Sequence, residues 1–470
     1  VPVVQHRARE IVPRGESVDV GPEPHALHDP ANAQPSPHHW RLGAHCCSVP
    51  VDGAAGNGVA PPVSCGKPER VSRSARMPRA PIQVDDAGVG VSVDDTTSAR
   101  VLGLDGLDAL VRALTAQGHR VIGPTVRNGA IVLDEIGGVD ELPAGWTEEQ
   151  EPGAYRLVRR GDEAVFGFAS TPHSWKQWLH PSRVRLWSVR DSDGATFEEE
   201  PPPDRPLALV GVRACDVHAI AIQDRVFLEG RYPERDYASR REGAFVVAVD
   251  CGEPGGTCFC TSMGTGPRVK GGVDLVLTEL PGTPPTFVAR VGSGRGAALL
   301  DELPGREATP ADLEAARAVT DAAATRMGRE LETEGLHDLL LRNLDHPRFT
   351  ETAERCLTCA NCTLVCPTCF CTSVDDVTTL DGAAESWRTW DSCFSVDYSY
   401  IHGGSVRRAP RARYRQWLTH KFATWIDQFG TSGCVGCGRC VTWCPVGIDV
   451  TEELQAIRAT DGEVDRAHAR

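Results

Sequence analysis

Two cysteine motifs near the C-terminal end constrain this chain more than any other feature of its sequence. Each motif has three cysteines separated by two residues and a fourth cysteine three residues further on, directly before a proline. The first motif is CLTCANCTLVCP at residues 356–367, and the second is CVGCGRCVTWCP at residues 434–445. Closely spaced thiolates can each reach a different iron of one cube, so this spacing is typical of [4Fe–4S] ligation.

The pairing of the two motifs predicts how the ligands are shared between two clusters. In two-cluster ferredoxins the fourth cysteine of each motif ligates the cluster of the other motif. We assign cluster 1 to Cys356, Cys359, Cys362 and Cys444. We assign cluster 2 to Cys434, Cys437, Cys440 and Cys366. The alternative is zinc, which usually takes two separated Cys-x2-Cys pairs or a mixture of cysteine and histidine, and this spacing fits that pattern poorly.

Four further cysteines in the preceding part of the chain are candidates for a third [4Fe–4S] cluster. They are Cys215, Cys251, Cys258 and Cys260. Cys215 and Cys251 each follow a predicted strand, and the C-terminal ends of such strands meet at one edge of an α/β sheet. Buried structural thiols and a zinc site are the alternatives for this set. Three more cysteines are predicted to be packed thiols near the clusters or to line a cluster pocket: Cys369, Cys371 and Cys393.

Composition limits the classes of function that remain. The 18 cysteines are bunched with short gaps, which favours metal ligation over a disulfide framework and predicts a reducing cytoplasm. The formal net charge of −15 argues against binding to nucleic acid or to an anionic membrane surface. No apolar run approaches the roughly 18 residues that a membrane span needs. No catalytic triad, P-loop or dinucleotide fingerprint is visible, so no catalytic centre is evident.

We expect a multidomain α+β protein. Residues 1–95 lack periodicity, and they are predicted to be disordered or an N-terminal extension from a mis-assigned start, with Met77 as the suspected true start. Residues 100–305 are predicted to form a mixed α/β domain, and residues 309–345 a helical connector. Residues 346–460 are predicted to form a mainly helical dicluster ferredoxin-type domain.

Several local patterns give sharper expectations. Apolar runs predict strands at Leu207–Val212 and Phe245–Val249, and a further strand at residues 165–169. Thr309 followed by proline predicts a helix start, with the helix continuing to about Leu331. The arginine-rich run at residues 407–415 is predicted to be a solvated face or a docking face for an acidic partner.

Several stretches of the sequence resemble one protein family. They are GVRACDVHAI at 211–220, EPGGTCFCTSMGTGP at 253–267, RCLTCANCTLVCPTCFC at 355–371, CVGCGRCVTWCPVGID at 434–449 and VIGPTVRNGAIVLDEI at 121–136. The family contains the beta subunit of cytosolic NAD(P)-linked [NiFe] hydrogenases, the sulfhydrogenases, and the equivalent electron-transfer subunit of anaerobic sulfite reductase. The resemblance spans residues 100 to 455 or so.

The resemblance implies an electron-transfer subunit with two [4Fe–4S] clusters. It further implies a partner, which is a flavin- and NAD(P)-binding iron–sulfur subunit. In the hydrogenases two more partners are implied: a [NiFe] large subunit, and a small iron–sulfur subunit. The chain lacks the paired Cys-x2-Cys motifs of such a large subunit, so it is not expected to activate hydrogen itself. The electron-transfer subunit of an anaerobic sulfite reductase complex is the alternative, and a protein with structural clusters is the alternative from a different class.

Overall fold

The computed structural model describes residues 93, 99–190, 196–380 and 382–462. The predictions for residues 1–95, including a start at Met77, therefore lie outside the described residues except for Val93. The described part contains helices and sheets, as expected for an α+β protein. No helix in these ranges is long and apolar enough to cross a membrane.

The secondary structure is numbered here in chain order. The strands are β1 (Arg100–Leu102), β2 (Arg120–Arg127), β3 (Ala130–Glu135), β4 (Trp146–Glu151), β5 (Ala154–Arg159), β6 (Arg183–Arg190), β7 (Thr196–Glu199), β8 (Leu207–Val212), β9 (Phe245–Val249), β10 (Leu275–Leu280), β11 (Thr286–Val291), β12 (Arg306–Glu307), β13 (Thr372–Thr378), β14 (Ala384–Trp390), β15 (Tyr400–Ile401) and β16 (Gly404–Ser405). The helices are α1 (Leu104–Ala116), α2 (Lys176–Leu179), α3 (Ala214–Phe227), α4 (Arg235–Arg241), α5 (Gly294–Glu302), α6 (Pro310–Ala324), α7 (Leu336–Arg342), α8 (Arg348–Arg355), α9 (Asn361–Leu364), α10 (Pro410–Thr419), α11 (Trp425–Phe429), α12 (Arg439–Thr442) and α13 (Val450–Ala459). Short 3-10 turns lie at Val139–Glu141 and Asp397–Ser399, and a π-helical turn lies at His420–Thr424.

An eight-stranded mixed sheet is built around the apolar runs of the sequence. Its strand order is β12-β1-β11-β10-β9-β8-β2-β3, and β2, β8, β9 and β10 are parallel neighbours. Every residue of β8 and β9 is buried, because a strand covered on both faces has no polar side. Since these two strands run in parallel side by side, the segments that follow them emerge at the same edge of the sheet. Cys215 and Cys251 lie in these two segments.

The predicted strand at residues 165–169 is wrong, because buried side chains satisfy its backbone in place of a neighbouring strand. The carboxylate of Glu279 accepts hydrogen bonds from the backbone N–H groups of Val165 and Phe166 at 2.6 and 2.7 Å. The guanidinium of Arg213 donates to the carbonyl oxygens of Phe166 and Phe168 at 2.7 and 2.6 Å. The segment is therefore irregular but fully anchored against the main sheet.

Thr309 caps helix α6 as predicted. Its hydroxyl accepts from the N–H of Asp312, and the Asp312 carboxylate accepts from the N–H of Thr309 at 2.8 Å, which completes a capping box. The helix ends at Ala324, however, rather than near Leu331. The residues that follow run as an irregular segment in which Arg329 reaches the Asp449 carboxylate at 2.7 Å.

A second sheet was not expected in the stretch predicted to be mainly helical. Strands β13 and β14 form a hairpin there, and β14 pairs with β6 in a sheet of order β13-β14-β6-β7. The buried guanidinium of Arg388 on β14 also pairs with Glu234 at 2.6 Å and Asp236 at 2.9 Å. Residues 346–460 therefore combine helices with a hairpin that joins the earlier part of the chain.

Candidate metal centres

The two cysteine motifs fold into loops with the same backbone. In each loop the residues on both sides of the second cysteine have positive φ: Thr358 (+50°) and Ala360 (+69°) in the first, Gly436 (+67°) and Gly438 (+73°) in the second. A left-handed residue other than glycine costs roughly 1–2 kcal/mol, so the first loop holds strain of the kind that collects at functional sites. In both loops the residue before the second cysteine donates its backbone N–H to the sulfur of the first cysteine at 3.4 Å.

The first set of thiols gathers around a cavity at the molecular surface. Burial raises the pKa of Cys362 well above its usual value, and the neighbouring thiols of Cys356, Cys444 and Cys359 raise it further. These four cysteines line a cavity of about 440 Å³ that includes some open solvent. Cys444, which comes from the second motif, thus lies with the first three cysteines of the first motif.

The second set lies deeper in the molecule. Burial raises the pKa of Cys440 well above its usual value, and the thiols of Cys434, Cys437 and Cys366 raise it further. Cys366 comes from the first motif, so each set takes its fourth member from the other motif. The eight thiols are grouped in the two sets that the sequence assigns to clusters 1 and 2, although their role as ligands stays a prediction. The sets adjoin, because Cys362 also raises the pKa of Cys440.

The described residues offer no site for a single ion. No group of three or more Cys, His, Asp or Glu side chains within the described ranges is arranged to hold one metal ion. In the first set the thiols instead surround a space, which is the arrangement that a four-iron cube needs. This geometry disfavours the zinc alternative for that set.

Unsatisfied polar groups around the first cavity fit an acceptor within it. Tyr414 Oη and Trp417 Nε1 belong to residues that line the cavity, and both atoms are buried with no hydrogen-bond partner among the described residues. An unsatisfied buried donor costs roughly 1–3 kcal/mol, and the sulfur atoms of a cluster are acceptors that would relieve this cost. The neighbouring Arg413 is also buried and donates to the carbonyl oxygen of Phe394 at 2.8 Å. Arg413 is therefore not part of a solvated face, contrary to one expectation for residues 407–415.

The surroundings of the two loops differ. The backbone N–H of Phe259 donates to the carbonyl oxygen of Gly436 at 2.9 Å, so the segment at residues 257–260 packs directly on the second loop. A Cβ atom at Gly438 would lie 2.4 Å from the hydroxyl of Thr257. By contrast, Cys359 in the first loop is exposed. Cluster 1 would consequently lie at the surface and cluster 2 in the interior.

The four cysteines of the proposed third set also come together, next to the second loop. Burial raises the pKa of Cys260 well above its usual value, and the thiols of Cys258, Cys251 and Cys437 raise it further. Burial is also the main cause of the raised pKa of Cys215, to which Cys260 contributes. The sulfur of Cys258 lies 3.9 Å from the carbonyl oxygen of Cys437.

A buried ion pair that the sequence did not reveal fixes the third set against the second. The guanidinium of Arg439 binds both carboxylate oxygens of Asp216 at 2.8 and 2.9 Å, and its Nε donates to the carbonyl oxygen of Thr171 at 2.9 Å. Asp216 follows Cys215, and Arg439 precedes Cys440. The only sequence signal was that each charged residue is next to a candidate ligand.

The remaining cysteines lie beside the second set. Cys369 is buried and hydrogen-bonded to Cys366, and Cys371 is hydrogen-bonded to Cys393. All 15 cysteines among the described residues are free thiols. These positions agree with the expectation of packed thiols near the clusters.

These features define an iron–sulfur protein of the dicluster class. Residues 355–448 match the 4Fe-4S dicluster domain family, so the chain binds [4Fe–4S] clusters. Sulfhydrogenase 2 subunit beta of Pyrococcus furiosus is 32% identical over 344 residues, which cover 72% of this chain and 92% of that protein. The chain therefore belongs to the sulfhydrogenase beta-subunit family and is an iron–sulfur electron-transfer subunit, as the sequence predicted. No solved structure matches the chain.

Proposed function

We propose that this chain is the electron-transfer subunit of a cytoplasmic [NiFe] hydrogenase complex. It relays electrons between the iron–sulfur centres of the large and small hydrogenase subunits and a flavin- and NAD(P)-binding partner subunit. The observation that carries the proposal is the pair of adjoining thiol sets, of which one reaches the surface at Cys359. The similarity to a sulfhydrogenase beta subunit supports the choice of complex.

The proposed ligands of cluster 1 are Cys356, Cys359, Cys362 and Cys444, and those of cluster 2 are Cys434, Cys437, Cys440 and Cys366. Contact between Cys362 and Cys440 supports a short path for an electron from one cluster to the other. The clusters supply the one-electron chemistry when bound. The chain itself orients the thiolates, donates backbone N–H groups to the sulfurs and keeps water away from the inner site.

A third [4Fe–4S] cluster at Cys215, Cys251, Cys258 and Cys260 extends the proposed path. Its support is the convergence of four buried thiols next to Cys437. The double variant Cys258→Ser/Cys260→Ser tests it: we expect a loss of about four irons per chain, with the dicluster EPR signals retained. Cys393→Ser removes a thiol outside the three sets and should leave the iron content unchanged. Equal iron content in the wild type and the double variant would remove the third cluster.

The complex is tested by purifying the tagged chain anaerobically from its native cells. We expect a [NiFe] large subunit, a small iron–sulfur subunit, plus a flavoprotein, to co-purify, and hydrogen to reduce the EPR-detected clusters of the chain. A matched variant, Cys434→Ser/Cys437→Ser, should co-purify with the same subunits but fail to pass electrons from hydrogen to NAD(P).

Recovery of a sirohaem protein in place of the [NiFe] subunit would assign the chain to a sulfite-reducing complex instead. Clusters that stay oxidised under hydrogen in the complete complex would indicate a structural role and contradict electron transfer.

A further inference from the structure

Two lysines are buried beside the second thiol set. Lys176 and Lys421 expose only 5% and 3% of their surface. Within the described ranges neither ammonium forms an ion pair with a carboxylate. A buried charge without a counter-ion is unfavourable, so the two lysines indicate a negative charge nearby that protein side chains do not supply. A thiolate-ligated iron–sulfur cluster would supply that charge.

Lys421 contacts a proposed ligand directly. Its ammonium donates to the sulfur of Cys366 at 3.3 Å, to the hydroxyl of Thr368 at 3.1 Å and to the carbonyl oxygen of Gly433 at 2.8 Å. These three bonds use all three N–H donors of the ammonium. The Thr368 hydroxyl lies 3.2 Å from the same Cys366 sulfur and donates to Gly433, so the position of the ammonium is fixed from two sides.

The backbone brings Lys421 to this position through an irregularity in a helix. Lys421 lies in the π-helical turn His420–Thr424, between helices α10 and α11, and such turns occur frequently at functional sites. The carbonyl oxygen of Lys421 also accepts from the N–H of Gly433 at 2.9 Å. Gly433 precedes Cys434, so Lys421 joins the two chain segments that contribute ligands to cluster 2.

Lys176 is equally buried but makes different contacts. Its ammonium donates to the carbonyl oxygens of Thr363 at 3.3 Å and Cys369 at 3.1 Å, and it lies 4.0 Å from the ring centre of Trp390. It therefore places a charge in the same region without an N–H···S bond to a proposed ligand. This makes Lys176 the matched control for Lys421.

We propose that Lys421 is a positioning residue that raises the reduction potential of cluster 2. The inference rests on the proposed ligand set. A cluster that accepts one electron from its donor, here a neighbouring iron–sulfur centre, gains one negative charge, and no bond forms or breaks. A fixed cation and an N–H donor at Cys366 stabilise the reduced state more than the oxidised state. Because the site is buried, water cannot replace this interaction when the lysine is removed.

The test is an EPR-monitored redox titration of the full chain, purified anaerobically with its clusters. The signal that Cys434→Ser alters is assigned to cluster 2. In Lys421→Met we expect its ratio of reduced to oxidised cluster at a fixed potential to fall about tenfold, a shift of about 59 mV for one electron. Lys421→Arg keeps the charge and should return the potential toward that of the wild type. Lys176→Met should cause a smaller shift, and cluster 1 should be unaffected in all three variants.

An unchanged cluster 2 potential in Lys421→Met, or an equal shift in Lys176→Met, would overturn the proposal. If Lys421→Met does not retain cluster 2, Lys421→Gln keeps two N–H donors without the charge and carries the same test. If neither variant holds cluster 2 while Lys176→Met does, Lys421 retains the cluster instead of tuning it, and the proposal is rejected. A wild-type chain without a cluster 2 signal would contradict the ligand set, and thus the proposed function, instead.

Discussion

At the scale of single residues, the two cysteine loops share a backbone but not the residues that form it. The left-handed positions are Thr358 and Ala360 in the first loop, and Gly436 and Gly438 in the second. The difference comes from what each loop faces. A Cβ at Gly436 would lie 2.6 Å from the carbonyl oxygen of Phe259, whereas the first loop reaches the surface. Glycine is therefore required by the neighbouring segment and not by the loop conformation alone.

Gly438→Ala tests this explanation. The new methyl group would lie 2.4 Å from the Thr257 hydroxyl and 2.5 Å from its carbonyl oxygen, so the 257–260 segment must move. We expect the free energy of unfolding to fall by well over the roughly 1 kcal/mol that a left-handed alanine costs, together with loss of iron from cluster 2.

Gly430→Ala is the control, because Gly430 has a φ of +71° and nothing lies within 4 Å of its Cβ position. It should show the backbone cost alone and keep its iron. Anaerobic denaturant unfolding and iron analysis measure both effects. Equal losses in the two variants would contradict the explanation by contact with the segment at residues 257–260.

At the scale of secondary structure, the elements predicted best are those whose signal is complete within a few residues. Strands β8 and β9 have the bounds that the sequence predicted, because an unbroken apolar run buried on both faces needs no other information. The cap of α6 at Thr309 was equally local, since both partners of the capping box lie within one turn.

The elements predicted poorly depend on distant partners. The apolar stretch at residues 165–169 is irregular because Glu279, more than a hundred positions away, takes its backbone N–H groups. The hairpin β13–β14 escaped prediction because β13 is exposed and contains two aspartates, which gives a weak strand pattern. Its neighbour in the sheet, β6, lies almost two hundred residues earlier. No local pattern could reveal either arrangement.

At the scale of the whole molecule, the grouping of the cysteines could be predicted, but the surroundings of the clusters could not. The motif spacing alone gave the two sets that exchange Cys366 and Cys444. Lys421 and Arg413 lie on helices where a lone cation is usually solvated, and only the folded chain shows that they are buried near these sets. The Arg439–Asp216 pair joins residues more than two hundred positions apart.

The three thiol sets form a series through the protein. The set at Cys215, Cys251, Cys258 and Cys260 adjoins Cys437, the second set adjoins the first through Cys440 and Cys362, and the first reaches the surface at Cys359. This order supports a path for electrons that ends at an exposed cluster, where a partner subunit can exchange them.

The most direct test of this path is the content of iron and acid-labile sulfide in the anaerobically purified wild-type chain, measured together with its zinc content. Two clusters require about eight irons and as many sulfides per chain, and a filled third set requires about twelve of each. We predict the higher value. A colourless chain that contains zinc, or no metal at all, would contradict the clusters and the path between them.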